Sequence, residues 1–237
     1  MTKLPANWGP SPVERGRATP AVQILLTTPS PALPAGFADL LQAVLETGLV
    51  SALLVSRPED MTENEPGPRL QQYHDHIAAL APLTRAADCA LLLQDAPELV
   101  RPLGADGACM STGDMASPAT ALADALETLK PDFIVGAMGL QSRHGAMLAG
   151  ESGADFICFG SPLAAPDPET IRMSQWWSKL FEVPATLFDP LTPVEGLQEF
   201  DCEFLGLGAN VWQAPEGPAH ALCALRKRCP VPLTGPQ

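Results

Sequence analysis

From residue 21 onward, short runs of uniformly apolar residues alternate with longer segments in which apolar positions recur every three or four residues. The apolar runs cover 22–27, 50–55, 89–93, 107–110, 133–136, 156–159, 185–188 and 204–207. Most lack the in–out alternation of a half-wet strand. That is the pattern expected when helices cover one face of a parallel sheet and a packed interior fills the other. Segments of helical character lie between them, near 35–47, 69–86, 97–103, 118–129, 141–152, 169–181, 193–200 and 218–227. Each can serve as a right-handed crossover between parallel strands. Eight such units in a 237-residue chain predict an α/β fold, a single (β/α)8 TIM barrel. A doubly wound open sheet is the alternative. Against it, Leu26-Thr27-Thr28-Pro29 stands where a glycine-rich phosphate turn would follow the first strand. Pro5, Pro10, Pro12 and Pro20 mark residues 1–20 as a Pro-rich N-terminal tail, leaving 21–230 for the barrel.

Composition narrows the function. The chain carries 14 Lys and Arg against 27 Asp and Glu, a net charge of −13. That balance excludes a non-specific nucleic-acid surface, which needs clustered cations, and disfavours docking on an anionic bilayer. No apolar run approaches the roughly 20 residues of a membrane span, and residues 1–20 hold no apolar stretch of the signal-peptide kind. A cytoplasmic location is the expectation. Cys89, Cys109 and Cys158 lie in or beside apolar runs, where a free thiol behaves as a small hydrophobe, and no C-x-x-C pair occurs.

If the barrel is right, chemistry belongs at the C-terminal ends of the strands. Arg57 ends the second strand and could clamp an anion bidentately, or pair with Glu59 or Asp60 in an acidic loop. The third strand runs into Gln94-Asp95, and the fourth is followed by Ser111-Thr112-Gly113-Asp114. Neighbouring parallel strands lie about 4.8 Å apart, so Asp95 and Asp114 could converge on one Mg²⁺. The competing reading makes each the N-cap of the following helix. Ser161 follows the sixth strand. Gly208, Ala209 and Asn210 follow the eighth, where backbone N–H groups can meet a phosphate, although a glycine beside a barrel strand is more often a packing residue. His74 and His76, two apart on a helix, cannot share a metal. His144 begins the helix after the fifth strand and could reach the mouth. Trp176-Trp177 reads as packing or as a partner surface.

The stretch from Leu91 to Pro162 resembles the thiamine phosphate synthase family and its TenI-like thiazole tautomerase relatives. The resemblance is carried by Gln94-Asp95-Ala96-Pro97, Gly104-Ala105-Asp106-Gly107, Ser111-Thr112-Gly113-Asp114, Ile134-Val135-Gly136 and Gly153-Ala154-Asp155-Phe156 through Gly160-Ser161-Pro162. It implies a (β/α)8 barrel that joins hydroxymethylpyrimidine diphosphate to a thiazole phosphate and releases pyrophosphate, a Mg²⁺-dependent transferase of thiamine biosynthesis. Its partners would be small phosphorylated pyrimidine and thiazole ligands, and a homodimer is possible for such a barrel. By the same resemblance Asp95 and Asp114 fall on the Mg²⁺-binding aspartates, and Arg57 stands in for a diphosphate-contacting Lys. The phosphate-binding set is thinned. Leu53-Leu54-Val55-Ser56-Arg57 replaces a Q-x-R-x-K run, Cys109-Met110-Ser111-Thr112 replaces His-Leu-Gly-Gln, and Phe188-Asp189-Pro190 replaces Gly-Gly-Ile. The alternatives are a non-catalytic ligand-binding or regulatory barrel of the same family, or a thiazole tautomerase using His144 as base.

Overall fold

The computed structural model describes residues 22–29, 33–34, 36–57, 68–113, 119–193, 196–197 and 202–228. Eight parallel strands close into a barrel in sequence order: β1 (Gln23–Thr27), β2 (Val50–Val55), β3 (Ala90–Gln94), β4 (Gly107–Ser111), β5 (Ile134–Met138), β6 (Phe156–Phe159), β7 (Ala185–Phe188) and β8 (Phe204–Leu207). The ring closes where β8 pairs with β1, Ile24 opposite Leu205. The helices are α1 (Phe37–Leu45), α2 (Pro68–Ala86), α3 (Pro97–Leu103), α4 (Ala119–Leu129), α5 (Arg143–Glu151), α6 (Pro168–Leu180), α7 (Ala209–Trp212) and α8 (Pro218–Arg228). The predicted TIM barrel is therefore the fold, and among the described residues no helix is long and apolar enough to cross a membrane.

The helix expected over 193–200 lies largely outside the described residues, as do the predicted tail 1–20 and the chain beyond 228. One difference in element placement has a physical cause. The segment read as a loop after the eighth strand opens into α7, held where the Trp212 indole N–H donates to the Thr27 carbonyl at 2.6 Å. Trp212 also packs on Phe37 of α1, with ring centroids 4.9 Å apart. Of the tryptophan pair on α6, Trp177 is 1% exposed, stacks on Phe181 and donates to the Val183 carbonyl, which makes it a packing residue.

Side chains alternate between the helix shell and the barrel interior. The inward set forms its own cluster, including Leu25, Leu54, Leu92, Cys109, Met138, Phe156, Cys158, Phe188 and Phe204. Its bulk rests on glycines in adjacent strands. A Cβ on Gly136 would sit 2.2 Å from Phe156 Cζ, and one on Gly206 would sit 2.2 Å from Phe188 Cδ1. Each ring thus occupies the volume that a side chain on the neighbouring strand would otherwise fill, and burying a ring of this size contributes roughly 1.5–3 kcal/mol.

The lower end of the barrel is stapled by carboxylates. Asp106, Asp155 and Glu203 each stand immediately before an even-numbered strand. They accept the backbone N–H of Leu91 at 2.8 Å, Val135 at 2.7 Å and Ala185 at 2.9 Å, the first or second residue of β3, β5 and β7 respectively. Lys130 pairs with Asp155 from the α4–β5 turn. Burial pushes the Asp106 carboxyl above its usual range, against the Leu91 N–H and Arg85, which favour the ionised form.

Gly136→Ala and Gly206→Ala should each destabilise the barrel by roughly 1–3 kcal/mol or more in urea unfolding, because the ring opposite cannot retreat. Adding Phe156→Leu to Gly136→Ala should cost less than the sum of the two single changes. A carboxyl whose folded-state pKa is raised contributes most below its unfolded value of about 4 and progressively less as pH climbs through the folded value. Asp106→Asn keeps an acceptor for the Leu91 N–H without the charge, so its stability relative to the parent should improve between about pH 4 and pH 7. Asp106→Leu should lose about 1–3 kcal/mol at both.

Candidate active site

The C-terminal ends of the strands gather two polar clusters on opposite sides of the mouth. The first lies over β2, β3 and β4. Gln94 is the last residue of β3 and faces the same way as Leu92, into the barrel. Asp95 follows it with φ 48°, a left-handed backbone rare for a non-glycine residue. Three contacts hold it there. Its N–H donates to the Cys109 carbonyl at 3.1 Å, its carbonyl accepts from Arg57 Nη1, and its carboxylate is gripped by Ser111. The Ser111 N–H donates to Oδ1 and the Ser111 hydroxyl to Oδ2, both at 2.6 Å.

This corrects the capping alternative for Asp95. The N-cap of α3 is Ala96, which makes no side-chain cap bond. The Asp95 carboxylate instead reaches across to the neighbouring strand, because the positive φ turns it away from the helix that follows. Arg57 and Asp95 meet through the main-chain carbonyl of Asp95, a contact that the sequence does not announce. Asp114, the second expected metal ligand, lies outside the described residues, as do Glu59 and Asp60.

Tyr73 on α2 is 5% exposed, and its hydroxyl has no hydrogen-bond partner among the described residues. Burial pushes its pKa up, and Arg57, Glu98 and Asp95 all act on it electrostatically. Sequence reasoning missed both Tyr73 and the role of Ser111. For Ser111 a signal existed, since it stands two residues after the inward-facing Cys109 at the end of β4.

The second cluster lies over β6, β7 and β8. Ser161 follows β6 and turns its hydroxyl to accept the Leu163 N–H at 3.1 Å. Gly208 is a close-approach residue, since a Cβ there would meet Thr27 Oγ1 at 2.7 Å and Pro190 Cβ at 3.0 Å. Its N–H donates to Asn210 Oδ1 at 3.1 Å. The Asn210 amide then donates to the carbonyls of Asp189 at 2.9 Å and Thr192 at 2.8 Å, tying the loop after β7 to the start of α7. Ala209 begins that short helix. Gly208 and Asn210, both expected to meet phosphate, are thus engaged with the protein's own loops.

Below the mouth lie two thiols. Cys109 hydrogen-bonds to Cys158, and that contact together with complete burial holds the Cys109 thiol well above its usual range. His144 sits exposed in the first turn of α5. Among the described residues, no group of three or more His, Cys, Asp and Glu gathers as a metal cage.

Fold and mouth define a (β/α)8 barrel in which a guanidinium after β2 meets the main chain of an aspartate after β3, where the strands end. The model of the thiamine monophosphate synthase family matches residues 24–186. The chain belongs to that family. It is 31% identical over 212 residues to the thiamine-phosphate synthase of Rhodospirillum centenum, covering 84% of this chain and 94% of that one. It is 33% identical over 154 residues to the enzyme of the same name from Hyphomonas neptunium, covering 62% and 67%. Among solved structures, thiamine phosphate pyrophosphorylase from Pyrococcus furiosus shares the fold with a TM-score of 0.66 at 20% identity, over 87% of this chain and 94% of that one.

The buried thiols should resist labelling. Ellman's reagent on the native protein, with mass mapping of the adducts, should modify the exposed Cys223 and leave Cys89, Cys109, Cys158 and Cys202 unmodified until denaturant is added.

Proposed function

We propose that the protein is a thiamine-phosphate synthase of the cytoplasm, joining hydroxymethylpyrimidine diphosphate to a thiazole phosphate with release of pyrophosphate. The observation that carries the reading is the Arg57–Asp95 pair at the mouth of a barrel of this family. The donors fit Mg²⁺. Asp95 presents a half-buried carboxylate with acceptor capacity left on each oxygen, the hard oxygen donor that Mg²⁺ takes. Mg²⁺ is usually held by one or two carboxylates plus water and substrate phosphates, so no larger protein cage is needed. Asp95 would hold the ion, with Asp114 as the second carboxylate that the family resemblance supplies. When bound, the ion offsets charge on the departing pyrophosphate.

The chain's own groups act around that step. The Arg57 guanidinium, turned toward the β3 end, would set its positive charge against the diphosphate oxygens as charge builds on the leaving group. Gln94, beside it, offers an amide to the pyrimidine or to a phosphate oxygen. Met138 and Phe188 close the floor with apolar surface, which excludes water from a reactive pyrimidine cation. Ser161, Gly208, Ala209 and Asn210 face the thiazole phosphate side.

A second reading, a ligand-binding barrel without turnover, is favoured by one feature of that side. The chain has no Lys or Arg between Lys179 and Arg226, and the Gly208 N–H is taken by Asn210. Purified protein incubated with both substrates and Mg²⁺ should yield thiamine phosphate and pyrophosphate. Asp95→Asn should lower kcat/KM about a hundredfold or more, and Arg57→Ala should raise KM for the diphosphate about tenfold. Absence of product at high enzyme concentration, with a thermal shift on adding thiamine phosphate, would select the second reading.

A further inference from the structure

We infer that Ser111 is a positioning residue that aims the Asp95 carboxylate into the mouth, an inference that rests on the reading of Asp95 as a Mg²⁺ ligand. A serine stands where the resembled run, His-Leu-Gly-Gln, has glycine, so the hydroxyl is an added group. One residue on β4 supplies both donors to both oxygens of one carboxylate on the β3 end, each at 2.6 Å. A carboxylate gripped at one oxygen alone can still swing about its Cβ–Cγ bond, whereas a grip at both fixes its plane.

The fixed plane decides where the remaining lone pairs point. Each carboxylate oxygen accepts one hydrogen bond from Ser111 and keeps further acceptor capacity. The Asp95 backbone is equally constrained. A left-handed non-glycine residue is costly and persists only where its surroundings over-determine it. Here the Cys109 carbonyl takes its N–H and Arg57 takes its carbonyl. With main chain and side chain both held, the metal-facing edge of Asp95 is formed before any ion arrives. Partners of this kind around a ligating carboxylate typically contribute 10–100-fold in metal affinity, a magnitude that sets the expected effect at about tenfold or more.

The position of Ser111 in the fold explains why the grip is rigid. It is the last residue of β4, paired with Met138 of β5, and the following Thr112 is fully buried. The Thr112 N–H and hydroxyl both donate to the Met138 carbonyl at 2.8 Å. The clamp is therefore anchored to β5 and cannot follow a drifting carboxylate.

The experiment uses the full chain and Mn²⁺ as the probe, with free Mn²⁺ read by its electron paramagnetic resonance signal. Circular dichroism melts are run beside it to confirm folding. Ser111→Ala, which retains the N–H donor, should raise the Mn²⁺ Kd about tenfold and the Mg²⁺ requirement in turnover by a similar factor. At saturating Mg²⁺ its kcat should stay within about threefold of the parent. Ser111→Thr, which restores a hydroxyl, should bring the Kd back to within about threefold. The inference is overturned if Ser111→Ala binds Mn²⁺ as the parent does while Asp95→Asn has lost it, since the N–H alone then suffices. If Asp95→Asn also binds as the parent does, the reading of Asp95 as a metal ligand fails, and the role of Ser111 falls with it.

Discussion

A closed ring of eight parallel strands holds its diameter only if the interior is filled at the right width. In this protein two phenyl rings seated against glycines set that width. Phe156 and Phe188 occupy space that Gly136 and Gly206 leave open, and a side chain at either glycine would force its ring to shift. Because Phe188 ends β7 and Met138 ends β5, the same plug that fills the barrel forms the floor of its mouth. The polar residues above are thus placed by interior packing as much as by their own loops. A floor that yielded would shift the stagger between β3 and β4, on which the contact between Asp95 and Ser111 depends.

The two ends of the barrel divide their tasks, as is usual for the fold. The repeated Gly-Ala-Asp, at 104–106 and 153–155, lies at the lower end, where its aspartates take strand N–H groups. Part of what carries the family resemblance is therefore the closure of the sheet and not the chemistry. The net charge of −13 reads differently in that light. Asp106, Asp155 and Glu203 are engaged with backbone amides or Lys130 far from the mouth, so the acidity is not one uniform field against an anionic substrate. What the upper end lacks is cations on the β7–β8 side, where Asn210 has taken the role of strapping the loops.

Most of the fold was legible because strands buried on both faces stand out as unbroken apolar runs. β2, β6, β7 and β8 match their predicted limits, and the other four differ by one or two residues. The helix α7 was not legible, since four residues are too few for any periodicity to register. The site was legible in its residue types but not in its contacts. Asp95 before Ala96-Pro97 carries the local mark of a helix cap. The positive φ that redirects it comes from Cys109, Arg57 and Ser111, which lie 14, 38 and 16 residues away in sequence. Asn210 looked like a ligand for the same reason: polar groups at strand ends carry no sequence mark to tell a strap from a binding group.

The paired rings and glycines also constrain how such a barrel can diverge. Ring and hole sit on different strands, Phe156 on β6 against Gly136 on β5, and Phe188 on β7 against Gly206 on β8. A change at either position alone leaves a clash or a void, so changes at the two positions are energetically coupled. The polar pairs of the mouth, Ser111 with Asp95 and Asn210 with Gly208, carry no ring-sized clash of this kind. Within one molecule, substitution is therefore freer across the upper rim while the interior favours coordinated double steps, which is how a barrel can keep its shape while its chemistry drifts.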